Sequence, residues 1–456
     1  MVLVLVALLA AGAFGAACRS RPALAPPLNL LLVTLDTTRA DALGAYGGKA
    51  VTPSIDHLAA EGVLFEQAST VAPLTLPAHS SLFTGLFPPG HGVHGNGQNA
   101  LGSESIALAE QLKARGFRTG AFVSSFVLDH RWGLDQGFDV YHDPGIGAGQ
   151  RITRASIRRS ADSVVDDALA WMQQIGNDRF FAWLHFYDAH APSRPPPEFA
   201  PLGTDDDYFA AIGFVDFELS RVMTFLAERQ LTDRTIVVVI GDHGESLGEH
   251  GEPTHGVFVY EAAVRVPFIV RAPFADMQGR RVSEPVSIVD VMPTVLDLLG
   301  QSAAPGIDGQ TLVPLMTGAA QASQLEVYSE SRYGLDRFGW SPLSALREGR
   351  FKLILAPRPE LYDLDADPKE SVNLYQQRAD LAASMTRRLQ TLAQPAHAFA
   401  APVHVDADTR AHLAALGYVA PSAPAGHPAP TLADPKDQID LYKQLTGSSR
   451  RQGEQP

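Results

Sequence analysis

The chain has a single cysteine among its 456 residues, Cys18, so no intramolecular disulfide can staple it. It also lacks a cationic excess: 36 lysines and arginines stand against 50 aspartates and glutamates, a formal net charge of −14. That balance argues against a general nucleic-acid partner, because a phosphate backbone calls for a basic face. Internal repeats are missing, and nothing in the sequence singles out a protein partner. Hydrophobic side chains, in contrast, make up 45% of the chain. That is enough to bury a large core, in one big α/β domain with a smaller appendage. An acidic protein of this kind can still hold an anionic ester where metal ions supply the local positive charge.

The first 18 residues, MVLVLVALLAAGAFGAAC, form an apolar run too short for a membrane span and suited to a signal-peptide core. Cys18 follows Gly15-Ala16-Ala17, an order that resembles a bacterial lipoprotein cleavage box. The expectation is an exported protein of the periplasm or cell envelope, either attached to the membrane through a lipid on Cys18 or released from an unlipidated signal peptide. Residues 19–27 read as a proline-bearing linker.

From residue 28 onward short apolar runs alternate with helical patterns, the signature of a mostly parallel, doubly wound sheet. Strands are expected at 28–35, 117–123, 180–186 and 235–240, and helices at 53–61, 105–115, 161–174 and 208–228. Thr52 stands where an N-cap would precede Pro53. Two of the apolar strands stop at acidic residues, Asp36 and Asp242, and the carboxyl ends of strands are where open α/β sheets bind ligands. Asp242-His243 offers a carboxylate and an imidazole suited to zinc or manganese. The surrounding GDHGESLGEHGEPTHG adds His250, His255 and five glycines. Asp36 alone also reads as the cap of a turn. In the third segment, APLTLPAHSSLFTG, Thr75 opens a short helix. It is either a cap accepting a backbone N–H or a nucleophile whose hydroxyl, facing a metal at a helix N-terminus, loses its proton more easily.

Taken together these segments resemble the sulfatase family of the alkaline phosphatase superfamily. The frame Thr75-Leu76-Pro77-Ala78-His79, Thr84-Gly85 and Pro88-Pro89-Gly90-His91-Gly92 is similar to the family's nucleophile segment. The likeness continues through Asp242-His243-Gly244-Glu245, Tyr260-Glu261 with Arg265-Val266-Pro267, Gly349-Arg350-Phe351-Lys352, Glu360-Leu361-Tyr362-Asp363-Leu364, Asp367-Pro368 and Asn373-Leu374. It implies a sulfatase-like catalytic domain at 28–324, a smaller antiparallel subdomain at 325–396 and an Ala/Pro-rich tail at 397–456. The tail carries helical stretches at 408–416 and 436–445 and an unstructured end.

The chain departs from the family in three places. Sulfatases convert a Cys or Ser to formylglycine, an aldehyde that threonine cannot give, so Thr75 would act as an unmodified alkoxide. The usual Gly-Lys-Trp-His stretch is Val123-Ser124-Ser125-Phe126, and the second aspartate of the family's pair is Thr37. What remains is similar to the threonine-nucleophile relatives, the nucleotide pyrophosphatase/phosphodiesterases and the phosphoethanolamine and lipoteichoic-acid transferases. That resemblance implies one zinc or manganese ion on Asp36, Thr75, Asp242 and His243, with calcium as a further option and a second ion left open. It also implies catalytic roles for Thr75, His190 and His255, and substrate binding by Asn96 and by Arg39. Asn96 lies 21 residues after Thr75 and also reads as a turn former; His255 lies 12 residues after His243. Asp188 reads as a second-metal ligand or a structural acceptor, and His79, His91, His94 and His250 as satisfied or surface histidines. Three functions stay open: hydrolysis of a sulfuric or phosphoric ester on a small molecule, glycan or lipid; transfer of a phospho-group in the envelope; or an inactive binding module.

Overall fold

The computed structural model of the chain describes residues 28–145, 158–193, 195–199, 206–319, 325–394, 406–415, 418 and 432–452. The expected leader, Cys18 and the linker lie outside the described residues. The main sheet is built from β1 (Asn29–Leu35), β2 (Val63–Ser69), β3 (Arg118–Val123), β4 (Val140–His142), β5 (Phe180–Phe186), β6 (Thr235–Gly241), β7 (Arg265–Arg271), β8 (Arg280–Val282) and β9 (Val286–Ser287). Its order is β4-β3-β5-β1-β6-β7-β2-β8, with β9 also on β2. All the pairings are parallel except those of β7, which runs against both neighbours.

The continuous apolar strand β1 has no exposed side, as the covered faces of a parallel sheet require. Leu30 and Leu32 join the core on one face with Leu76 and Phe83. Leu31 and Val33 join the other with Leu219 and Val222 of the Asp207–Glu228 helix. The register then positions the site. Leu35 is level with Phe186 of β5 and Gly241 of β6, so Asp36, Tyr187 and Asp242 leave three adjacent strands side by side.

A second, antiparallel sheet follows in the order β10 (Val327–Ser331), β11 (Leu343–Glu348), β12 (Phe351–Leu355) and β13 (Glu360–Asp363), with the Ala379–Leu392 helix packed on it. It is tied to the loop before Thr75: Glu330 N–H donates to the Val71 carbonyl at 2.8 Å and Ser329 Oγ to that of Thr70 at 2.6 Å.

Three expectations change. Thr52 does not cap the Pro53–Glu61 helix, because its hydroxyl donates to Asp56 Oδ1 at 2.9 Å. The N–H groups of Ser54 and Ile55 go instead to the Asp216 carboxylate at 3.1 and 2.8 Å. The 105–115 helix shortens to Leu108–Lys113, started by Glu110 Oε2 accepting from Ala107 N–H at 2.8 Å. Finally, the helix Pro435–Gln452 runs into the end expected to be unstructured, and Tyr442 on it is buried against Phe338 and Tyr333.

Candidate active site

Thr75 is the first residue of the Thr75–Thr84 helix, and Leu74, which has no side-chain acceptor, is its N-cap. The Thr75 hydroxyl therefore makes no cap. It donates to Asp36 Oδ2 at 3.3 Å and lies 3.4 Å from His243 Nε2. The second helical N–H, that of Leu76, is taken by Asn96 Oδ1 at 2.8 Å. Asn96 thus performs the capping that Thr75 leaves undone, and the nucleophile candidate is free to face the strand ends.

The ligand atoms of Asp36, Asp242 and His243 lie within 4.8 Å of one another, all fully buried. Asp242 Oδ1 is held by the N–H groups of His243 and Thr37 at 2.7 and 3.2 Å. Its Oδ2 and Asp36 Oδ1 have no hydrogen-bond partner. Burial raises both carboxyls above the ordinary range, Asp242 further because Asp36 lies beside it. His243 Nδ1 donates to the Gly244 carbonyl at 3.0 Å, which leaves Nε2 as a lone-pair donor toward the carboxylates. Burial holds this imidazole well below its usual pKa, so it is neutral, as a metal ligand must be. Thr37 holds φ +50°, which is strained for a β-branched residue, and its buried hydroxyl has no partner.

Two further histidines brace this centre: His185, to which the sequence assigned no role, and His79, expected as a satisfied histidine and buried as one. His185 is the last residue but one of β5, where Ser124 N–H donates to its Nδ1 at 3.3 Å, so Nε2 carries the proton directed at Asp36 Oδ2, 3.3 Å away. Ser124 Oγ also donates to the His185 carbonyl at 2.7 Å. The residues that replace the family's lysine and histidine stretch therefore brace a partner of Asp36. His79 donates from Nδ1 to the Thr75 carbonyl at 2.8 Å and accepts from Thr34 Oγ at 3.0 Å, and Trp183 Nε1 donates to that same oxygen at 2.9 Å. With both nitrogens engaged, His79 braces the Thr75 turn from beneath, although it lies 3.8 Å from Asp242 Oδ2. The signal for both was available only as position, one at a strand end and the other a turn after Thr75.

His190 and His255 form the opposite wall, with ring centroids 5.0 Å apart, and His255 is 4.6 Å from His243. Burial alone would lower the His255 imidazole, but Glu245, 3.0 Å from its Nδ1, and Asp36 raise it above its usual value. His190 donates from Nδ1 to the Ala191 carbonyl at 2.9 Å and stacks on Tyr187 at 4.3 Å. Burial pushes it down to about 4, so Nε2 faces the cleft unprotonated. Asn96 Nδ2 is buried, with no partner but the Tyr418 hydroxyl. Arg158, which the sequence reading passed over, acts electrostatically on His190 and Tyr187.

Arg39 does not join this group. Its guanidinium is bound to both Asp41 oxygens at 2.8 Å, to Glu249 Oε1 at 2.6 Å and to the Glu245 carbonyl at 3.2 Å. The cation is spent on the neighbouring Asp41 and on Glu249 of the segment after β6 rather than held for an anion. Asp188 takes the structural alternative: its Oδ1 accepts from Ala161 N–H at the start of the Ala161–Ile175 helix, at 3.3 Å. His91 is buried between Ser81 Oγ and Val93 N–H, His94 pairs with Glu330 at 2.6 Å, and His250 stacks on Tyr260.

The sulfatase family model matches residues 28–301, and that of the C-terminal region of N-sulphoglucosamine sulphohydrolase matches 248–395. The chain belongs to the sulfatase family. Its enzyme class is that of a sulfuric or phosphoric ester hydrolase. An uncharacterised sulfatase of Escherichia coli K12 is 27% identical over 423 residues, covering 76% of this chain and 82% of that protein. A phosphonate monoester hydrolase of Agrobacterium radiobacter superposes with a TM-score of 0.67 at 23% identity, over 80% of this chain and 95% of its own. A structure solved with its substrate, D-glucosamine-2-N,6-O-disulfate, gives 0.70 at 19% identity, over 81% and 99%. At these identities the two structures establish the shared fold. No described helix of this sulfatase-family chain is long and apolar enough to cross a membrane.

Proposed function

We propose that the chain hydrolyses a sulfuric or phosphoric ester with the Thr75 oxygen as nucleophile and a divalent metal ion held by Asp36, Asp242, His243 and that same oxygen. The observation that carries the reading is the Thr75 hydroxyl. It stands at a helix N-terminus, makes no cap, and points between Asp36 at 3.3 Å and His243 at 3.4 Å.

The residues fit a metal. Ligands about 2.0–2.2 Å from one ion lie within roughly 4.4 Å of each other. The Thr75 to Asp36, Thr75 to His243 and His243 to Asp242 separations are 3.3, 3.4 and 3.7 Å. The partnerless oxygens of Asp36 and Asp242 are what a dication would satisfy, and two carboxylates beside one imidazole suit zinc or manganese. Calcium, which takes six to eight oxygens, is served poorly where Thr37 replaces a carboxylate. When bound, the ion supplies Lewis acidity to the Thr75 hydroxyl and to a non-bridging ester oxygen.

The chain's own groups then divide the work. The Thr75 O–H is directed at Asp36, which is placed to carry its proton away. The Thr75 oxygen bonds to sulfur or phosphorus as the ester oxygen leaves with a proton from His255, whose protonated form Glu245 favours. Water then attacks the sulfo- or phospho-threonine, His255 recovers a proton from it, and the Thr75 oxygen departs, taking back the proton held by Asp36. Asn96 Nδ2, and His190 Nε2 once the bound anion draws a proton onto it, donate to the oxygens of the transferred group, where the charge of this chemistry gathers. Metal analysis of the purified protein, with a screen of aryl sulfates, phosphate monoesters and phosphodiesters, tests the reading. A metal-loaded protein inert toward all three classes would refute it.

A further inference from the structure

The chain beyond the second sheet returns to the cleft. In the Ala407–Ala415 helix the buried positions Thr409, His412 and Leu413 recur at three- and four-residue spacing and form one inward face. Thr409 Oγ accepts from Arg131 Nη1 at 2.8 Å, and the His412 ring stacks on Phe126 at 4.8 Å. Leu413 closes on Gly97, the residue after Asn96. A Cβ there would come within 2.3 Å of Leu413 Cδ1, and Gly97 holds φ +85°, so glycine is required both for the turn and for the close approach. Tyr418 N–H donates back to the Leu413 carbonyl at 2.8 Å. The Tyr418 hydroxyl lies 3.5 Å from His190 Nε2 and accepts from the Asn96 side chain.

Both neighbours of that hydroxyl are distinctive. His190 Nε2 is the nitrogen left over after Nδ1 binds the Ala191 carbonyl, and Asn96 Nδ2 is a buried donor with no partner but this hydroxyl. They are the two groups assigned above to the oxygens of the transferred group. A phenol is a neutral donor at working pH and has the reach to share that task.

We propose that Tyr418 is a substrate-contacting residue of the active site: its O–H donates to a non-bridging oxygen of the sulfuryl or phosphoryl group beside Asn96. Residues 406–415 and Tyr418 are then a wall of the catalytic cleft rather than part of a detached tail. The proposal rests on the ester-hydrolase reading and names the donor that completes its anion cradle.

Tyr418→Phe in the metal-loaded full chain tests it, with orthovanadate as the probe of the pentacoordinate state and a responsive aryl ester as the substrate. Loss of one such donor should lower kcat/KM about 10- to 100-fold and weaken vanadate inhibition by a similar factor, with an unchanged thermal melt. Leu413→Ala, which loosens the wall without touching the oxygens, should shift the melt more than the vanadate constant. Unchanged kcat/KM and vanadate affinity in Tyr418→Phe would overturn the assignment. So would a rise in activity, which would make Tyr418 a plug. Vanadate binding that depends on Tyr418 in a protein turning over no ester would sink the hydrolase reading while leaving this contact standing.

Discussion

Two clusters of buried charge in this molecule are built to opposite rules. Where the second sheet meets the main one, Lys352 Nζ lies 2.8 Å from both Glu261 and Glu370, and Arg347 lies 3.5 Å from the other Glu261 oxygen. Two cations meet two anions there, and Glu370 also accepts the Glu261 N–H at 2.6 Å. At the carboxyl ends of β1 and β6 the carboxylates of Asp36 and Asp242 meet no lysine or arginine among the described residues, and each keeps an oxygen without a partner. The one imidazole raised there, His255, is matched by its own Glu245. Pairing offsets part of the cost of burying the ions at the seam; the strand-end couple lacks that compensation, and its open oxygens are candidate ligands for a cation.

The sharpest break between the two clusters is catalytic. Thr75→Ala should abolish turnover by several orders of magnitude and leave the melt nearly unchanged, since no neighbouring group replaces a missing covalent intermediate. Thr75→Ser should retain part of the activity, because the alkoxide survives without its methyl group. Kinetics beside a thermal melt separate this from a capping role, in which alanine would cost about 1 kcal/mol of stability and keep the activity.

At the seam the effect should fall on folding instead. Glu261→Gln leaves Lys352 and Arg347 buried with one carboxylate fewer and should destabilise by about 3–5 kcal/mol in chemical denaturation. Per folded molecule, activity should hold.

Asp290 stands between the two extremes. Its carboxylate is buried, accepts the Ser287 and Gln310 N–H groups at 2.9 Å each, and is pushed up to about 7 by burial. Its native value exceeds the unfolded value of 3.8, so its contribution is complete below about pH 4 and is lost as pH rises to 7, by up to about 4 kcal/mol. The stability gap between wild type and Asp290→Asn, which cannot ionise, should therefore narrow over that window. A gap independent of pH would contradict the assignment.

Metal addition should give the smallest shift and still separate the clusters. Zinc or manganese at about 100 times its Kd should stabilise the wild type by about 2.7 kcal/mol. Asp36→Asn should lose most of that response, and Glu261→Gln should keep it. A melt unmoved by either ion, or moved equally in Asp36→Asn, would take the cation away from the strand ends.

Much of this molecule was decided by local pattern. Strands β1, β5 and β6 fall where continuous apolar runs put them, and the helix before β2 spans Pro53–Glu61 as its proline and glycine punctuation implied. Asp36, Asp242 and His243 follow directly, because a residue just past a buried parallel strand lies on the ligand-binding edge whatever the rest of the chain does. Chemical type, however, does not reveal partners. Arg39 carries the charge an anion wants, yet packing set Asp41 and Glu249 within its reach first. Asn96 reads equally as a turn residue until the fold lays it over the N-terminus of the Thr75 helix. His185 became the partner of Asp36 only through the parallel register of β1 with β5, which places Thr34 opposite it. Tyr418 reaches His190 across 228 positions of sequence. Local periodicity determines what each segment becomes. Which donors remain unspent, and so able to act on a substrate, is determined by contacts between distant segments, and only the tertiary structure makes those.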